Sequence, residues 1–176
     1  MKGITKLQAY LIEDSGNSAS RDEDGMLKFV HLPAEDIKQK ISELTRTSKI
    51  YSDRDVFSIT HDFNKRYLRD ILQIEADRMQ YLEITDSSFA LSKEKIKTDG
   101  DRYYTSMLQR SVRKLNHYTE EHPYLLDEWG RIEDIEALSL QGVLDFRKQY
   151  FNPNNTTIVI VGDFDFRQTV ALIAEL

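Results

Sequence analysis

The chain has 176 residues, 40% hydrophobic and 31% charged, enough for one packed domain and too apolar for compositional disorder. A formal net charge of −6 argues against a nucleic-acid partner, because phosphate binding needs a basic face. The absence of cysteine excludes disulfides, thiolate nucleophiles and cysteine-ligated zinc.

The first stretch, MKGITKLQAYLIEDSG, carries Ile4, Leu7, Leu11 and Ile12 at helical spacing. It lacks the apolar core and cleavage site of a signal peptide. No run in the chain approaches the roughly 18 apolar residues of a membrane span, so the reading is a soluble protein of unspecified compartment. Residues 13–25, EDSGNSASRDEDG, are small and polar and open a flexible insertion taken as residues 13–32. Pro33 then sits at a helix start, with Glu35 and Asp36 suited to its first turn and Ile37, Ile41 and Leu44 on one face. From Ile50 to Thr60 the β-branched and aromatic residues Val56, Phe57, Ile59 and Thr60 predict a strand.

Asn64 to Ile84 predicts the strongest helix, with Tyr67, Leu68, Ile71, Leu72, Ile74, Met79 and Leu82 on one stripe. Glu75 and Arg78 fall on that same stripe at i, i+3 spacing and can pair. Such a pair fixes how helices meet, unless Glu75 has a catalytic role, since unpaired charge on a core face is costly. Phe89–Thr98 and Asp101–Tyr118 read as two helices broken at Gly100. His122-Pro123-Tyr124 opens an irregular segment through Gly130. Asp134 or Ser139 then caps a helix ending near Tyr150. Thr156–Val161 is apolar on both parities, which predicts a strand covered on both faces. Asp165 is placed to cap a last helix, with Gln168 three residues on.

The order defines an α+β fold, with helices packed on a mixed or antiparallel sheet. Two clear strands are too few for a stable sheet. The chain therefore reads as a single domain over residues 1–176 that is incomplete.

Three stretches together carry a resemblance: LQIEADRMQYLEI (Leu72–Ile84), HPYLLDEWGRIEDIEAL (His122–Leu138) and FRKQYFNPNNTTIVIVGDFD (Phe146–Asp165). The weaker YSDRDVFSIT (Tyr51–Thr60) precedes them in the matching order. Together they resemble the insulinase/pitrilysin family of zinc metallopeptidases, which includes the mitochondrial processing peptidase subunits. The resemblance implies one α+β half-molecule, of the half that normally carries the metal. Its opening strands are missing and its last helix is cut short.

The family's zinc site is His-x-x-Glu-His on a helix plus a downstream Glu. Two imidazoles at i, i+4 share a face, the third ligand closes the site and the motif Glu works on the bound water. That motif occurs nowhere here. The histidines are His31, His61, His117 and His122, none at i, i+4. The best counterpart of the motif is GITKLQAYLI (Gly3–Ile12). Lys6 and Tyr10 then replace the histidines, Ala9 replaces the Glu, Asp99 stands at the downstream ligand and Ser92 replaces the acidic residue before it. A protonated lysine repels a dication and alanine moves no proton, so no zinc and no hydrolysis are expected from this chain, although active relatives use zinc. His122 reads as a loop-fixing residue. The resemblance also implies a peptide-holding sheet edge at Ser48, Lys49, Ile50, Tyr51, Ser52 and Asp53, acting by strand addition. The functional expectation is a non-catalytic domain that binds or encloses peptide or unfolded polypeptide, or pairs with an active homologous half or subunit. The alternative is an active zinc endopeptidase whose metal site lies in other sequence or uses unexpected residues.

Overall fold

The computed structural model describes residues 4–17, 20–21, 27–28, 33–53, 56–118 and 129–176. In chain order these form α1 (Ile4–Asp14), β1 (Gly16–Asn17), β2 (Ser20–Arg21), β3 (Leu27–Lys28), α2 (Ala34–Leu44), β4 (Thr45–Ser52) and β5 (Phe57–Phe63). There follow α3 (Leu68–Tyr81), β6 (Leu82–Glu83), α4 (Asp86–Tyr103), α5 (Met107–Tyr118), α6 (Ile132–Ala137), α7 (Leu140–Tyr150) and α8 (Phe166–Glu175). The result is a helix-rich α+β fold with small paired strands. Two compact units share it. One comprises Met1–Asp14, Ile50–Ser58 and Thr85–Arg147, the other Ser15–Lys49, Ile59–Ile84 and Lys148–Leu176.

The first unit is built on α1 packed against α4. The helical spacing of Ile4, Leu7, Leu11 and Ile12 puts them on one face, and each is at most 3% exposed. Full burial of such side chains stabilises by about 1.5–3 kcal/mol apiece before entropy is counted. Ile96, Ile135 and Val143 continue this core. Gln8 is also buried, and its Nε2 donates to the Val143 carbonyl at 3.2 Å. Helix α4 starts at a capping box. The Ser88 N–H donates to Thr85 Oγ1 at 3.2 Å and the Thr85 N–H to Ser88 Oγ at 3.0 Å, satisfying two donors that the helix start leaves orphaned. Lys93 Nζ donates to the Glu136 and Leu138 carbonyls at 3.0 and 3.1 Å, supplying a cation to the C-terminal end of α6.

The predicted break at Gly100 does not occur, and α4 runs through it to Tyr103. A Cβ at Gly100 would lie 3.6 Å from the Trp129 side chain, so the glycine lets the indole lie close to the helix. Packing outweighs its helix penalty of about 1 kcal/mol. The chain turns instead at residues 104–106, where Ser106 Oγ accepts from the Gln109 N–H at 3.2 Å and starts α5.

In the second unit, Ile37 and Ile41 of α2 pack with Ile74 of α3, flanked by Leu44. Helix α3 is shorter than its periodicity predicts at both ends. Residues Lys65–Tyr67 form a 3-10 turn because Asn64 Oδ1 accepts from the Arg66 N–H at 3.2 Å. Leu82 and Glu83 leave the helix to pair antiparallel with Asn17 and Gly16. That partner lies within the stretch read as an insertion, as does the Ser20–Arg21 pairing with Leu27–Lys28. The rest of residues 13–32 beyond α1 and these strands, apart from Ser15, lies outside the described residues.

The single strand predicted over Ile50–Thr60 is instead the end of β4 and the start of β5, with residues 54 and 55 outside the described residues. Strands β4 and β5 pair, and the Asp53 N–H donates to the Val56 carbonyl at 2.9 Å. Further along the pair Arg46 Nη2 donates to Asp62 Oδ1 at 2.8 Å.

The C-terminal turn forms as its residues dictate. Asn152 Nδ2 and Asn155 Nδ2 each donate at 2.9 Å to the Gln149 and Tyr150 carbonyls, satisfying the end of α7. Ser139 Oγ accepts from the Gly142 N–H at 3.1 Å and caps the start of α7. Asp165 caps α8, accepting from the Gln168 N–H at 2.8 Å. Between turn and cap, Thr156–Val161 is not the buried strand that its composition predicts. It is unpaired among the described residues, with Val159 79% and Val161 91% exposed. A β-branched run becomes a strand only when a neighbour offers a ladder, and none of the described strands does so.

Candidate functional site

Lys6, Tyr10 and Asp14 recur every four residues along α1 and so share one face. On α4, Ser92, Lys95 and Asp99 follow the matching three-and-four spacing. The two helices bring these polar residues into one seam. Tyr10 Oη donates to Asp99 Oδ2 at 2.8 Å. Asp99 Oδ1 also lies 3.6 Å from Arg102 Nη1. One turn earlier on α1, Lys6 Nζ stands 4.6 Å from the centre of a Trp129 ring, in cation–π range. One turn later, the Asp14 carboxylate, only 3% exposed, accepts from Lys95 Nζ at 2.6 Å and from Ser92 Oγ at 3.3 Å. Ala9 lies between Lys6 and Tyr10 on the helix and contributes no polar atom.

The family resemblance aligns Lys6, Tyr10 and Asp99 to three ligand positions. The structure brings Tyr10 and Asp99 into direct contact and sends Lys6 to an aromatic ring. Sequence reasoning missed Asp14, although its signal was present: it continues the four-residue spacing of Lys6 and Tyr10.

The chemistry of this donor set does not fit a zinc ion. Zinc binds thiolates, neutral imidazoles and carboxylates. Here an ammonium stands at one aligned ligand position, and an alanine stands where the motif Glu would work on a bound water. The Tyr10 phenol is held in its protonated form, its pKa pushed well above the ordinary value by burial, then by the hydrogen bond and charge of Asp99, with smaller contributions from Glu13 and Asp14. The remaining carboxylate is already engaged by that phenol. Beside the seam, Ile96, Gly100, Trp129 and Ile135 line a cavity of about 20 Å³. It has room for one water and not for a peptide side chain.

Glu75 and Arg78 lie elsewhere, in the second unit. Arg78 Nη1 donates to Glu75 Oε1 at 2.9 Å, and His61 Nε2 lies 2.9 Å from the same oxygen. The His61 and Arg78 side chains are each 6% exposed, so Glu75 organises two nearly buried nitrogen groups between β5 and α3. The sequence places His61 at a strand end and nothing more; its role comes only from the fold. Of the residues read as a peptide-holding edge, Ser48, Lys49, Ile50, Tyr51 and Ser52 lie in β4, and Asp53 follows it. Strand β4 pairs only with β5 among the described residues. Its Ser48, Lys49 and Tyr51 side chains are exposed and Ser52 is buried. His31 and His122 lie outside the described residues, as does the side chain of His117. No described helix is long and apolar enough to cross a membrane.

In this helix-rich α+β fold, α1 and α4 meet along a polar seam at the positions that the sequence resemblance aligns to a metal site. Residues 137–176 match the family described as "Peptidase M16 inactive domain". A Haemophilus influenzae protein described as "Probable zinc protease PqqL" is 35% identical over 51 residues, which are 29% of this chain and 6% of that protein. A protease from Helicobacter pylori shares the fold with a TM-score of 0.82 and 17% identity, over 99% of this chain and 39% of that one. The first half of the periplasmic protease PqqL from Escherichia coli matches with a TM-score of 0.72 and 15% identity, over 99% of this chain and 36% of that one. The chain thus has the fold of an M16, insulinase-like peptidase half, as its three sequence stretches implied. It spans less than half the length of these solved relatives.

Proposed function

We propose that this chain is a non-catalytic insulinase-type domain that holds extended peptide or unfolded polypeptide beside an active homologous peptidase half. The observation that carries the reading is the Tyr10–Asp99 hydrogen bond of 2.8 Å. Two positions aligned to metal ligands are closed on each other by a hydrogen bond, and a third bears an ammonium directed at Trp129. No general base stands at Ala9. The carboxylates of this seam are already engaged, Asp99 by the Tyr10 phenol and Asp14 by Lys95 and Ser92.

Peptide holding needs none of those groups. An extended segment adds to a strand through main-chain hydrogen bonds, with specificity left to alternate side chains. The segment Ser48–Asp53 is the site of this addition. The exposed Lys49 within it favours peptides carrying carboxylates.

The competing reading is an active zinc endopeptidase, and it draws on the zinc-protease description of the Haemophilus influenzae relative. Zinc analysis of the purified chain, with cleavage of a quenched fluorogenic peptide in the presence and absence of a chelator, separates the two. The non-catalytic reading expects no retained zinc and no cleavage above background. Stoichiometric zinc with chelator-sensitive cleavage overturns it. Fluorescence anisotropy with a labelled, unstructured acidic peptide then tests holding. Binding that Ile50→Pro abolishes supports strand addition, and no binding refutes it.

A further inference from the structure

The seam between α1 and α4 has the side chains of a crosslink and not those of a metal site. Its contacts fall at three levels, four residues apart along α1, and so span about 12 Å of the helix. At the middle level Tyr10 Oη donates to Asp99 Oδ2 at 2.8 Å. At the last level Lys95 Nζ and Ser92 Oγ both donate to the nearly buried Asp14 carboxylate. At the first, Lys6 stands over Trp129, which lies against Gly100 of α4 and 5.7 Å from the Tyr103 ring. All of these residues belong to one compact unit.

We infer, building on the non-catalytic reading, that this seam is a metal-independent clamp in which Tyr10–Asp99 and Asp14–Lys95 fix the register of α1 on α4. The apolar face of α1, Ile4, Leu7, Leu11 and Ile12, gives adhesion with little direction, because hydrophobic burial is non-directional. Hydrogen bonds are directional and short-ranged, so contacts at two levels define one axial position. A one-turn slip that brought Asp14 to the level of Asp99 would oppose two carboxylates. A slip the other way would part Asp14 from Lys95, and separating a buried carboxylate from its cation is costly. The buried ion pair thus acts on register more than on raw stability, the best-attested use of such groups. With the carboxylates committed to these bonds, the helices are held without an ion between them.

Thermal melts and hydrogen exchange of the full chain test the clamp. Excess zinc and a chelator are expected to give the same melting temperature, because only an ion bound to the folded chain raises it. Tyr10→Phe is expected to lower the melting temperature by about 3–6 °C, and to lower it no further in an Asp99→Ala background, where the acceptor is gone. Lys95→Met alone is expected to cost more than Asp14→Asn/Lys95→Met together. Breaking both levels with Tyr10→Phe/Lys95→Met is expected to speed exchange of the α1 amides by roughly tenfold, while the α3 amides of the other unit keep their protection. A Tyr10→Phe effect that is equal in both backgrounds overturns the clamp and leaves the non-catalytic reading standing. So does exchange that rises alike in α1 and α3, or a Lys95→Met variant no less stable than the double variant. Zinc that raises the melting temperature of the unsubstituted chain overturns both.

Discussion

Replacing Tyr10 by Phe tests the closed seam most directly. The substitution removes only the hydroxyl that donates to Asp99 at 2.8 Å. A hydrogen bond to a charged acceptor contributes about 1.5–3 kcal/mol, and this one is partly buried, so a loss of about 1.5 kcal/mol is expected at pH 7. With a urea slope of roughly 2 kcal/mol/M, that moves the unfolding midpoint down by about 0.7 M. The pH dependence carries the sharper information. Folding raises the phenol's pKa above its ordinary value of 10.0. The protonated phenol therefore favours the folded state. The unfolded chain releases its proton first, so this stability is complete below pH 10 and drains away as pH climbs above it. One unit above the unfolded pKa the loss is about 1.4 kcal/mol in the fully coupled limit, and about 1 kcal/mol once residual solvent screening is allowed for. The gap between the unsubstituted chain and Tyr10→Phe should accordingly narrow by about 1 kcal/mol between pH 9 and pH 11. Urea titrations of both proteins at several pH values, followed by circular dichroism, measure it, and taking the difference cancels the other tyrosines. A gap that stays constant across this range would refute the argument that Tyr10 is held as a neutral donor to Asp99.

Glu75→Ala removes the oxygen shared by His61 and Arg78, and is expected to cost about 2–3 kcal/mol by urea unfolding, with Glu75→Ala/Arg78→Met recovering part of the loss. A single substitution costing less than about 0.5 kcal/mol would show that the triad does not hold β5 to α3. Gly100→Ala is expected to raise the melting temperature, because the new methyl meets Trp129 at an ordinary 3.6 Å while helix propensity improves by up to about 1 kcal/mol. Gly100→Leu is expected to lower it through overpacking by about 1–3 kcal/mol. Asp165→Ala removes the cap of α8 and should lower stability by about 1 kcal/mol in the same urea assay, with Asp165→Asn retaining most of it.

The caps, turns and single-face helices of this protein were legible in its sequence because each rests on residues within one or two turns of one another. Ile4, Leu7, Leu11 and Ile12 announced the buried side of α1, and Asp165 announced the start of α8. The absence of a His-x-x-Glu-His motif is likewise a property of the chain alone. What replaced it was not. Tyr10 and Asp99 are 89 residues apart, and only the packing of α1 on α4 makes one the donor of the other. Gly100 reads as a break by propensity alone, because a propensity has no knowledge of the distant Trp129 indole that lies against it. Thr156–Val161 read as buried because its side chains would be stable there. Whether they are covered depends on which other strands lie alongside, and strand pairing is a non-local interaction that six residues cannot specify by themselves.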